Sequence, residues 1–282
     1  MRNLIDAAEL AARTDDETLR IVDVRFDLSD PSAGRRAYLE GHVPGAIYLH
    51  LDDDLSGSIR PDGLGGRHPL PDPDVLAARL GAAGIGDAHH VVAYDDAGGA
   101  IAARLWWLLR WIGHERVQVL DGGVDAWTAA GGELVSGAER HPPAICTARP
   151  DMGMVVDADD VAARLEDPAR VLVDARAAER YRGEVEPLDR KAGHVPGALN
   201  LPYADNLVGG RLRPPSELRA RFEPLAEAEE VVVYCGSGVT AAHDALAMEE
   251  AGLPLPRLYP GSWSDWSSRD DLPVATGDPS RA

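Results

Sequence analysis

The sequence predicts an α/β protein of two tandem domains, each with a mainly parallel β-sheet flanked by helices. Three observations lead to this fold class. The chain has 282 residues, which is enough for two domains of ordinary size. Short runs of valine, isoleucine and leucine alternate with helical patterns, as is typical of βαβ units. One set of motifs also occurs twice in the same order, which indicates a duplication.

The repeat is clearest in the motif Gly-His-Val-Pro-Gly-Ala, which occupies residues 41–46 and again residues 193–198. Three further landmarks accompany each copy. A strand that ends in Asp-x-Arg precedes the motif, a valine-rich strand follows it, and a glycine with a nearby tryptophan comes last. We therefore expect both halves to share one chain path.

The repeat also sets the expected boundaries. The amino-terminal domain should span residues 1–138, and the carboxyl-terminal domain residues 155–282. Residues 139–154 contain three prolines and little periodicity, which predicts a linker. Within the domains, helical patterns are expected at residues 73–80, 100–111, 216–226 and 240–250.

Composition limits the possible partners and compartment. The formal net charge is −19 at pH 7, so nucleic acid and anionic membrane surfaces would both repel the chain. A small anionic substrate remains compatible, because a few arginines can reverse the potential inside one cleft. The chain has two cysteines, no stretch as long as a membrane span and no signal-peptide pattern. We expect a cytoplasmic protein with no metal site and no cofactor.

A cysteine in the second half is the main candidate for chemistry. The strand-forming residues 231–234 lead into Cys235, which is followed by Gly236, Gly238 and a helical segment. Such a turn directs backbone N–H groups and the positive end of a helix at the sulfur, which favours the thiolate. A buried and inert cysteine is the competing interpretation. Cys146 lies in the predicted linker, away from any glycine turn, and is expected to be incidental.

With these motifs, the chain resembles the tandem-domain sulfurtransferases of the rhodanese superfamily over nearly its whole length. In that family the carboxyl-terminal domain carries the working cysteine. The amino-terminal domain is a catalytically inactive copy, with aspartate commonly at the equivalent position. Asp95 stands at that position here. The loop sequence Cys-Gly-Ser-Gly-Val-Thr is similar to that of 3-mercaptopyruvate sulfurtransferases, whereas thiosulfate-using relatives typically carry arginine and lysine at its second and third positions.

The resemblance implies transfer of sulfane sulfur from 3-mercaptopyruvate, a small anionic donor, through a persulfide on Cys235. The acceptor would be a thiol such as thioredoxin or a small thiol, or cyanide. The loop amides of Gly236, Gly238, Val239 and Thr240 would stabilise the thiolate and the persulfide. A thiosulfate:cyanide sulfurtransferase and a persulfide relay module without turnover are the alternatives.

Three further catalytic residues are implied by the mercaptopyruvate-using members, which have a serine, a histidine and an aspartate near the cysteine. Ser237 is the loop serine here, while His68 and Asp52 occupy the matching motifs in the first half of the chain. His68 could instead be an exposed loop histidine. Asp52 is followed by Asp53 and Asp54, so a solvated acidic run is the alternative for this position.

Substrate-binding arginines are also implied. Arg180 matches a family arginine that binds the substrate carboxylate, and its planar group can hold a carboxylate by two parallel hydrogen bonds. A second family arginine follows a Glu-Pro pair, but here Glu186-Pro187 is followed by leucine and aspartate. Arg190 is the expected substitute and Lys191 the reserve. Either could instead be a surface cation.

A phosphatase of the dual-specificity cell-cycle type is the sharpest rival enzyme class, because it shares this general fold and a loop cysteine. Its chemistry needs an arginine as the sixth residue after the cysteine, to hold the phosphoryl group. Ala241 occupies that position. The sequence therefore excludes phosphoryl transfer by this loop.

Overall fold

The computed structural model describes residues 2–277, which fold into two compact units. Unit 1 contains residues 2–57, 71–151 and 209–212, and unit 2 contains residues 58–70, 152–208 and 213–277. Along the chain, the boundary between the long segments of the two units falls between Asp151 and Met152. Residues 58–70 come from the first half of the chain but belong to unit 2.

Unit 1 is built on a five-stranded sheet with the strand order β1-β5-β4-β2-β3, in which every pairing is parallel. Its strands are β1 (Leu4–Ile5), β2 (Leu19–Asp23), β3 (Ile47–Tyr48), β4 (His90–Tyr94) and β5 (Val117–Leu120). Its helices are α1 (Ala7–Ala11), α2 (Ala33–Glu40), α3 (Pro73–Ala82), α4 (Ala102–Trp111) and α5 (Gly123–Ala129). Trp106 and Trp107 of α4 are fully buried and belong to the core of this unit.

Unit 2 contains a four-stranded parallel sheet with the order β11-β10-β6-β7. The main strands of this unit are β6 (Arg170–Asp174), β7 (Leu199–Asn200), β10 (Glu230–Tyr234) and β11 (Arg257–Leu258). Two further short strands are β8 (Leu207–Val208), in unit 2, and β9 (Arg211–Leu212), in unit 1. The helices of unit 2 are α6 (Ala158–Ala163), α7 (Ala178–Tyr181), α8 (Pro215–Arg221), α9 (Thr240–Glu250) and α10 (Ser262–Trp266), with 3-10 turns at Met152–Met154, Tyr203–Asn206 and Glu223–Leu225.

The two sheets confirm the duplication. An isolated bridge between Val155 and Leu258 takes the place in unit 2 that β1 takes beside β5 in unit 1. β4 and β10 therefore hold the same central position in their sheets. Each leads into a loop and then a helix, α4 or α9.

Three of the four predicted helices are confirmed within two residues at each end, and the fourth is shorter than predicted. The pattern over residues 216–226 predicts one helix, but α8 ends at Arg221 and a 3-10 turn follows at Glu223–Leu225. Pro224 explains the break, because proline lacks the N–H that an α-helix needs and its ring clashes with the preceding turn.

The paired motifs have the same structural role in both units. Asp23 and Asp174, at the ends of β2 and β6, each bind the arginine two residues later through both its backbone N–H and its guanidinium group. His42 and His194 each pair Nδ1 with the carbonyl of a tyrosine, at 2.8 Å and 2.7 Å. These motifs therefore brace the same turns in both units. No helix within residues 2–277 has both the length and the apolar character to cross a membrane.

A buried carboxyl group lies on α9, the helix that follows Cys235. Asp244 is fully buried, and its Oδ1 accepts a hydrogen bond from Asn206 Nδ2 at 2.6 Å. Its Oδ2 has no hydrogen-bond partner among residues 2–277. Burial raises the pKa of Asp244 to about 8. The folded protein therefore holds a proton at neutral pH that the unfolded chain releases.

We expect this proton to make stability fall as the pH rises from about 4 to about 8. Between those values the native state binds one more proton than the unfolded state, so each pH unit costs up to about 1.4 kcal/mol. Asp244→Asn keeps the shape and removes the titration, so the variant should lose this slope and be more stable than the parent at pH 8. Calorimetric unfolding from pH 5 to pH 8 measures the difference. Asp270→Asn, at an exposed carboxylate of the same unit, is the control; parallel curves for Asp244→Asn and the parent would contradict the assignment.

Candidate active site

Cys235 lies directly after β10, at the start of the loop that leads into α9. Its side chain is buried, and the backbone N–H of Gly238 donates a hydrogen bond to Sγ over 3.1 Å. Gly238 has a φ of +77°, and a Cβ there would lie 2.5 Å from the carbonyl oxygen of Pro260. The loop therefore requires glycine at 238 to bring this N–H to the sulfur. The buried Val239 and the first residue of α9, Thr240, complete the turn.

The amino terminus of α10 fixes the cysteine loop from the other side. The N–H groups of Trp263 and Ser264 donate to the carbonyl oxygens of Cys235 and Gly236, both at 2.9 Å. The Cys235 N–H donates to Ser262 Oγ at 3.1 Å, and that hydroxyl donates to the Tyr259 carbonyl. The carbonyl groups of Cys235 and Gly236 and the N–H of Cys235 are thus all hydrogen-bonded to the start of α10.

Ser262 has an unusual backbone conformation for its type. It is the one non-glycine residue with positive φ among residues 2–277, at 54°, and it is completely buried. Unit 1 has Gly123, with a φ of 56°, where its β5–α5 turn makes the same contact with the Asp95 carbonyl that Trp263 makes with Cys235. Such a conformation costs about 1–3 kcal/mol. Ser262 provides a hydroxyl group that accepts a hydrogen bond from the Cys235 N–H, and Gly123 in unit 1 has no such group.

A segment from the first half of the chain completes this site within unit 2. The N–H of Gly65 donates to Asp265 Oδ1 at 2.9 Å, and the N–H of Arg67 donates to Ser264 Oγ at 3.1 Å. This fastening to α10 delivers His68, whose Nδ1 lies 2.7 Å from Ser237 Oγ. Both side chains are buried. The sequence-predicted residues Cys235, Ser237 and His68 therefore lie in one site.

Two guanidinium groups flank the loop at Gly236. A Cβ at this residue would lie 3.0 Å from Arg67 Nη2 and 3.4 Å from Arg180 Nη1. Asp189 pairs with both arginines, through Oδ1 to Arg67 Nη1 and through Oδ2 to Arg180 Nη2, the latter at 3.0 Å. Glu186 Oε1 accepts from Arg180 at 2.7 Å. Gly236 is thus small because charged groups occupy the space that a side chain would need.

Burial raises the pKa of Asp189, and the neighbouring charge of Glu186 acts in the same direction. The guanidinium groups of Arg67 and Arg180 oppose this effect and favour the carboxylate. Asp189 is therefore a buried acid whose two oxygens each contact a guanidinium group.

Arg190 and Lys191 have partners outside this group, and Asp52 belongs to unit 1. The Arg190 side chain is 62% exposed and lies 3.1 Å from an oxygen of Asp270, while Lys191 Nζ donates to the Arg269 carbonyl. Asp52 belongs to unit 1, in the loop after β3, where its backbone N–H donates to His50 Nδ1 at 3.2 Å. Partial burial raises the pKa of the Asp52 carboxyl group.

Unit 1 has an aspartate at the position that Cys235 holds in unit 2. Asp95 is buried and accepts four backbone hydrogen bonds, from residues 97, 99, 101 and 102, at 2.8–2.9 Å. The loop amides of this unit therefore already hold a fixed anion.

Sequence reasoning missed Arg67, Asp189 and Ser262 as residues of the site. Arg67 directly precedes His68, so its place in the chain was a usable signal. Asp189 follows the Glu-Pro pair where the family has an arginine. From the sequence, the missing arginine was noted and no role was assigned to the aspartate. Ser262 had no signal of its own, since its role depends on a backbone angle.

This chain is similar to known proteins in its domains, its sequence and its fold. The model of the rhodanese-like domain matches residues 6–130 and 157–269. A Pseudomonas aeruginosa protein named a probable 3-mercaptopyruvate sulfurtransferase is 49% identical over 280 residues, which cover 98% of each chain. A Mycobacterium tuberculosis protein named a candidate thiosulfate sulfurtransferase, SseB, is 41% identical over 288 residues, which cover 97% of each chain.

A solved structure gives the same result for the fold. The crystal structure of SseA from Escherichia coli, described as a 3-mercaptopyruvate sulfotransferase, superposes with a TM-score of 0.83 at 33% identity. The match covers 93% of this chain and 99% of that one. Both predicted domains therefore have the fold that the repeat suggested.

The fastening of residues 63–68 to α10 can be tested at two adjacent glycines. Gly65 and Gly66 both have positive φ, but a Cβ at Gly66 would lie 2.4 Å from the Gly261 carbonyl oxygen, whereas the nearest atom to one at Gly65 lies 3.8 Å away. We expect Gly66→Ala to destabilise unit 2 by about 1–3 kcal/mol more than Gly65→Ala, because only the former adds a clash to the backbone strain. It should also shift the His68 ring resonances.

Calorimetry and NMR of the histidine ring provide the two measurements. Gly65→Ala controls for the conformational strain that both substitutions share. Equal losses of stability, with unchanged His68 resonances in Gly66→Ala, would show that the segment is not held by α10.

Proposed function

The chain belongs to the rhodanese-like family, and from this premise we propose that it is a sulfurtransferase that moves sulfane sulfur from 3-mercaptopyruvate to a thiol or cyanide through a Cys235 persulfide. The observation that carries the proposal is the buried Cys235 sulfur, which accepts the Gly238 N–H in a loop whose Ser237 is hydrogen-bonded to His68. Unit 1 would be catalytically inactive, because Asp95 fills the matching loop with a fixed carboxylate. Residues 139–154 would join the two domains.

The first half-reaction is an attack by the Cys235 thiolate on the sulfur of mercaptopyruvate. An S–S bond forms and the carbon–sulfur bond breaks, and its electron pair leaves with the pyruvate enolate. The thiol proton of the donor ends on the methyl carbon of pyruvate, so that the enzyme keeps a persulfide anion. Oriented N–H groups stabilise both sulfur anions without a net charge. The Gly238 N–H at 3.1 Å supports this role, and Gly236, Val239 and Thr240 complete the same turn.

Ser237 and His68 are the proposed proton carriers of this step. Their 2.7 Å hydrogen bond is short enough for a proton to pass between them, and both lie in the site that contains Cys235. Asp52 is proposed as the carboxylate that orients His68, on the family pattern. The enolate would receive its proton through this relay as it leaves.

Arg180 is the proposed anchor of the donor carboxylate. Its guanidinium group lies beside Gly236, the residue that follows the nucleophile, with Nη1 3.4 Å from the position of a Cβ there. The neutral loop residues Gly236 and Ser237 suit a donor with one carboxylate better than the compact thiosulfate dianion. Arg190, the residue that sequence reasoning favoured for a second contact, stays a prediction.

The second half-reaction returns the thiolate. An acceptor thiolate such as thioredoxin or a small thiol attacks the outer sulfur and leaves as a persulfide, whereas cyanide leaves as thiocyanate. This is a ping-pong scheme. Because Cys235 must stay reduced, we propose that the protein works in a reducing compartment, which for this chain is the cytoplasm.

The proposal is tested by steady-state sulfur transfer from 3-mercaptopyruvate and from thiosulfate, with one common acceptor. We expect a higher kcat/KM with mercaptopyruvate, and we expect Cys235→Ala to abolish transfer from both donors without loss of fold. Cys146→Ala, at the other cysteine of the chain, should keep full activity. A preference for thiosulfate would favour the alternative donor, which SseB suggests. Turnover by Cys235→Ala would exclude the persulfide mechanism.

Arg180→Ala tests the carboxylate anchor. We expect KM for mercaptopyruvate to rise by at least about tenfold, since a charge-assisted hydrogen bond to the substrate is worth about 1.5–3 kcal/mol. Arg182→Ala is the matched control, because Arg182 pairs with Glu184 on the same short segment. An unchanged KM in Arg180→Ala would remove this arginine from the binding site.

A further inference from the structure

A compact group of charged side chains surrounds Gly236 in unit 2. Arg67 and Arg180, here named the arginine pair, are joined by Asp189, which lies between their guanidinium groups. The Asp189 side chain is 3% exposed, while the paired arginines are 25% and 19% exposed. The carboxylate is therefore the buried member, and the cations have the more accessible surfaces.

Further ion pairs extend this group. Glu186 contacts Arg180 at 2.7 Å and Arg176 at 3.3 Å, and Arg176 in turn pairs with Asp174 at 2.6 Å. Three guanidinium groups and three carboxylates make up the whole, so its net charge is zero when all are ionised. The members are Arg67, Asp174, Arg176, Arg180, Glu186 and Asp189.

The arginine pair retains unused hydrogen-bonding capacity. Nε of Arg67 and Nε of Arg180 are both buried, and neither has an acceptor within the described residues 2–277. A buried N–H without a partner is costly, and an oxygen of a bound anion can satisfy it. Other nitrogens of the same guanidinium groups, Arg67 Nη2 and Arg180 Nη1, lie 3.0 Å and 3.4 Å from the position of a Cβ at Gly236, the residue after Cys235.

These contacts make Arg67 the counterpart of Arg180 on the other side of Asp189. Arg190 is exposed and pairs with Asp270. A cationic side chain at residue 236 would begin in contact with the like-charged arginine pair, because its Cβ would lie 3.0 Å from Arg67 Nη2 and 3.4 Å from Arg180 Nη1. This chain therefore supplies the positive charge next to its cysteine from Arg67 and Arg180.

We propose that Arg67 and Arg180 together bind the anionic group of the sulfur donor, and that Asp189 between them makes the site selective for a monoanionic carboxylate over a dianion. This inference rests on the proposed function, because it concerns the donor of the same cysteine. It assigns the second donor contact to Arg67 and the donor specificity to Asp189.

The charge balance gives the physical reason. A mercaptopyruvate carboxylate adds one negative charge to a neutral group, whereas thiosulfate adds two. In a partly buried site the repulsion from Asp189 and Glu186 grows with the charge of the incoming anion. Asp189 therefore penalises thiosulfate more than mercaptopyruvate. When Asp189 is replaced by a neutral residue, the group has one excess positive charge, which favours binding of the dianion.

Kinetics of Asp189→Asn give the first test. We expect the ratio of kcat/KM for thiosulfate to that for mercaptopyruvate to rise by about tenfold. The loss of one nearby negative charge should favour the dianion over the monoanion by about this factor. Asp205→Asn removes an exposed carboxylate of the same unit and should leave the ratio unchanged. If Asp189 only holds the loop in shape, both donors should lose equally, and that outcome overturns the proposal.

Arg67 has its own variants. Arg67→Gln should raise KM for mercaptopyruvate by about tenfold, and Arg67→Lys should recover part of this loss because it restores the charge without the planar geometry. Arg182→Gln, at an arginine that pairs with Glu184, is the matched control. An unchanged KM in Arg67→Gln overturns its role.

A second readout does not depend on sulfur transfer. In a Cys146→Ala background, Cys235 is alkylated with iodoacetate, an anion, and with iodoacetamide, its neutral analogue. The ratio of the two rates reports the local charge and cancels changes in thiolate reactivity. We expect Asp189→Asn to raise the ratio and Arg67→Gln to lower it, each by about fivefold.

The two readouts separate the proposals. If the parent protein turns over neither donor but shows these shifts in alkylation, the proposed function fails and the anion site stands. If turnover is present and the alkylation ratio is the same in all variants, the proposed function stands and the anion site fails.

Discussion

The hydrogen bonds between the start of α10 and the cysteine loop are the constraint on which the rest of the site depends. Trp263 and Ser264 hold the carbonyl oxygens of Cys235 and Gly236, and Ser262 accepts the cysteine N–H. The same short helix holds residues 63–68 through Ser264 and Asp265. One helix of five residues therefore holds both Cys235 and the segment that carries Arg67 and His68.

The loop after the central strand holds a different residue in each unit, Asp95 in unit 1 and Cys235 in unit 2. In unit 1 the Asp95 carboxylate accepts four loop N–H groups and needs no ligand. In unit 2 a cysteine stands at the same position, and one N–H, from Gly238, reaches its sulfur. A carboxylate has two oxygens and can satisfy more donors than one sulfur can. The aspartate thus satisfies the N–H groups of its own loop, whereas the cysteine loop leaves donor capacity for the sulfur anions of the proposed mechanism.

Much of the fold could be predicted from the sequence, because strand and helix patterns repeat and because turn motifs such as residues 41–46 and 193–198 act locally. Cys235 and its glycines were predictable for the same reason, since a strand, a turn and a helix adjoin in the chain. Arg67 and Asp189 were not, because 122 residues separate them and pairing at that distance depends on the tertiary fold. The role of Ser262 could not be predicted, because a serine in the sequence gives no indication that its φ is positive.

The charges around Gly236 bear on how a strongly acidic chain would bind the proposed anionic donor. A net charge of −19 repels anions at long range, but salt screens this field beyond about 8–10 Å. The arginine pair adds little long-range attraction, because Asp189 and Glu186 neutralise it at contact distance. Recognition must then come from directed hydrogen bonds to guanidinium groups beside Gly236. A site of this kind selects by geometry and by the number of charges on the ligand, and gains little from electrostatic steering.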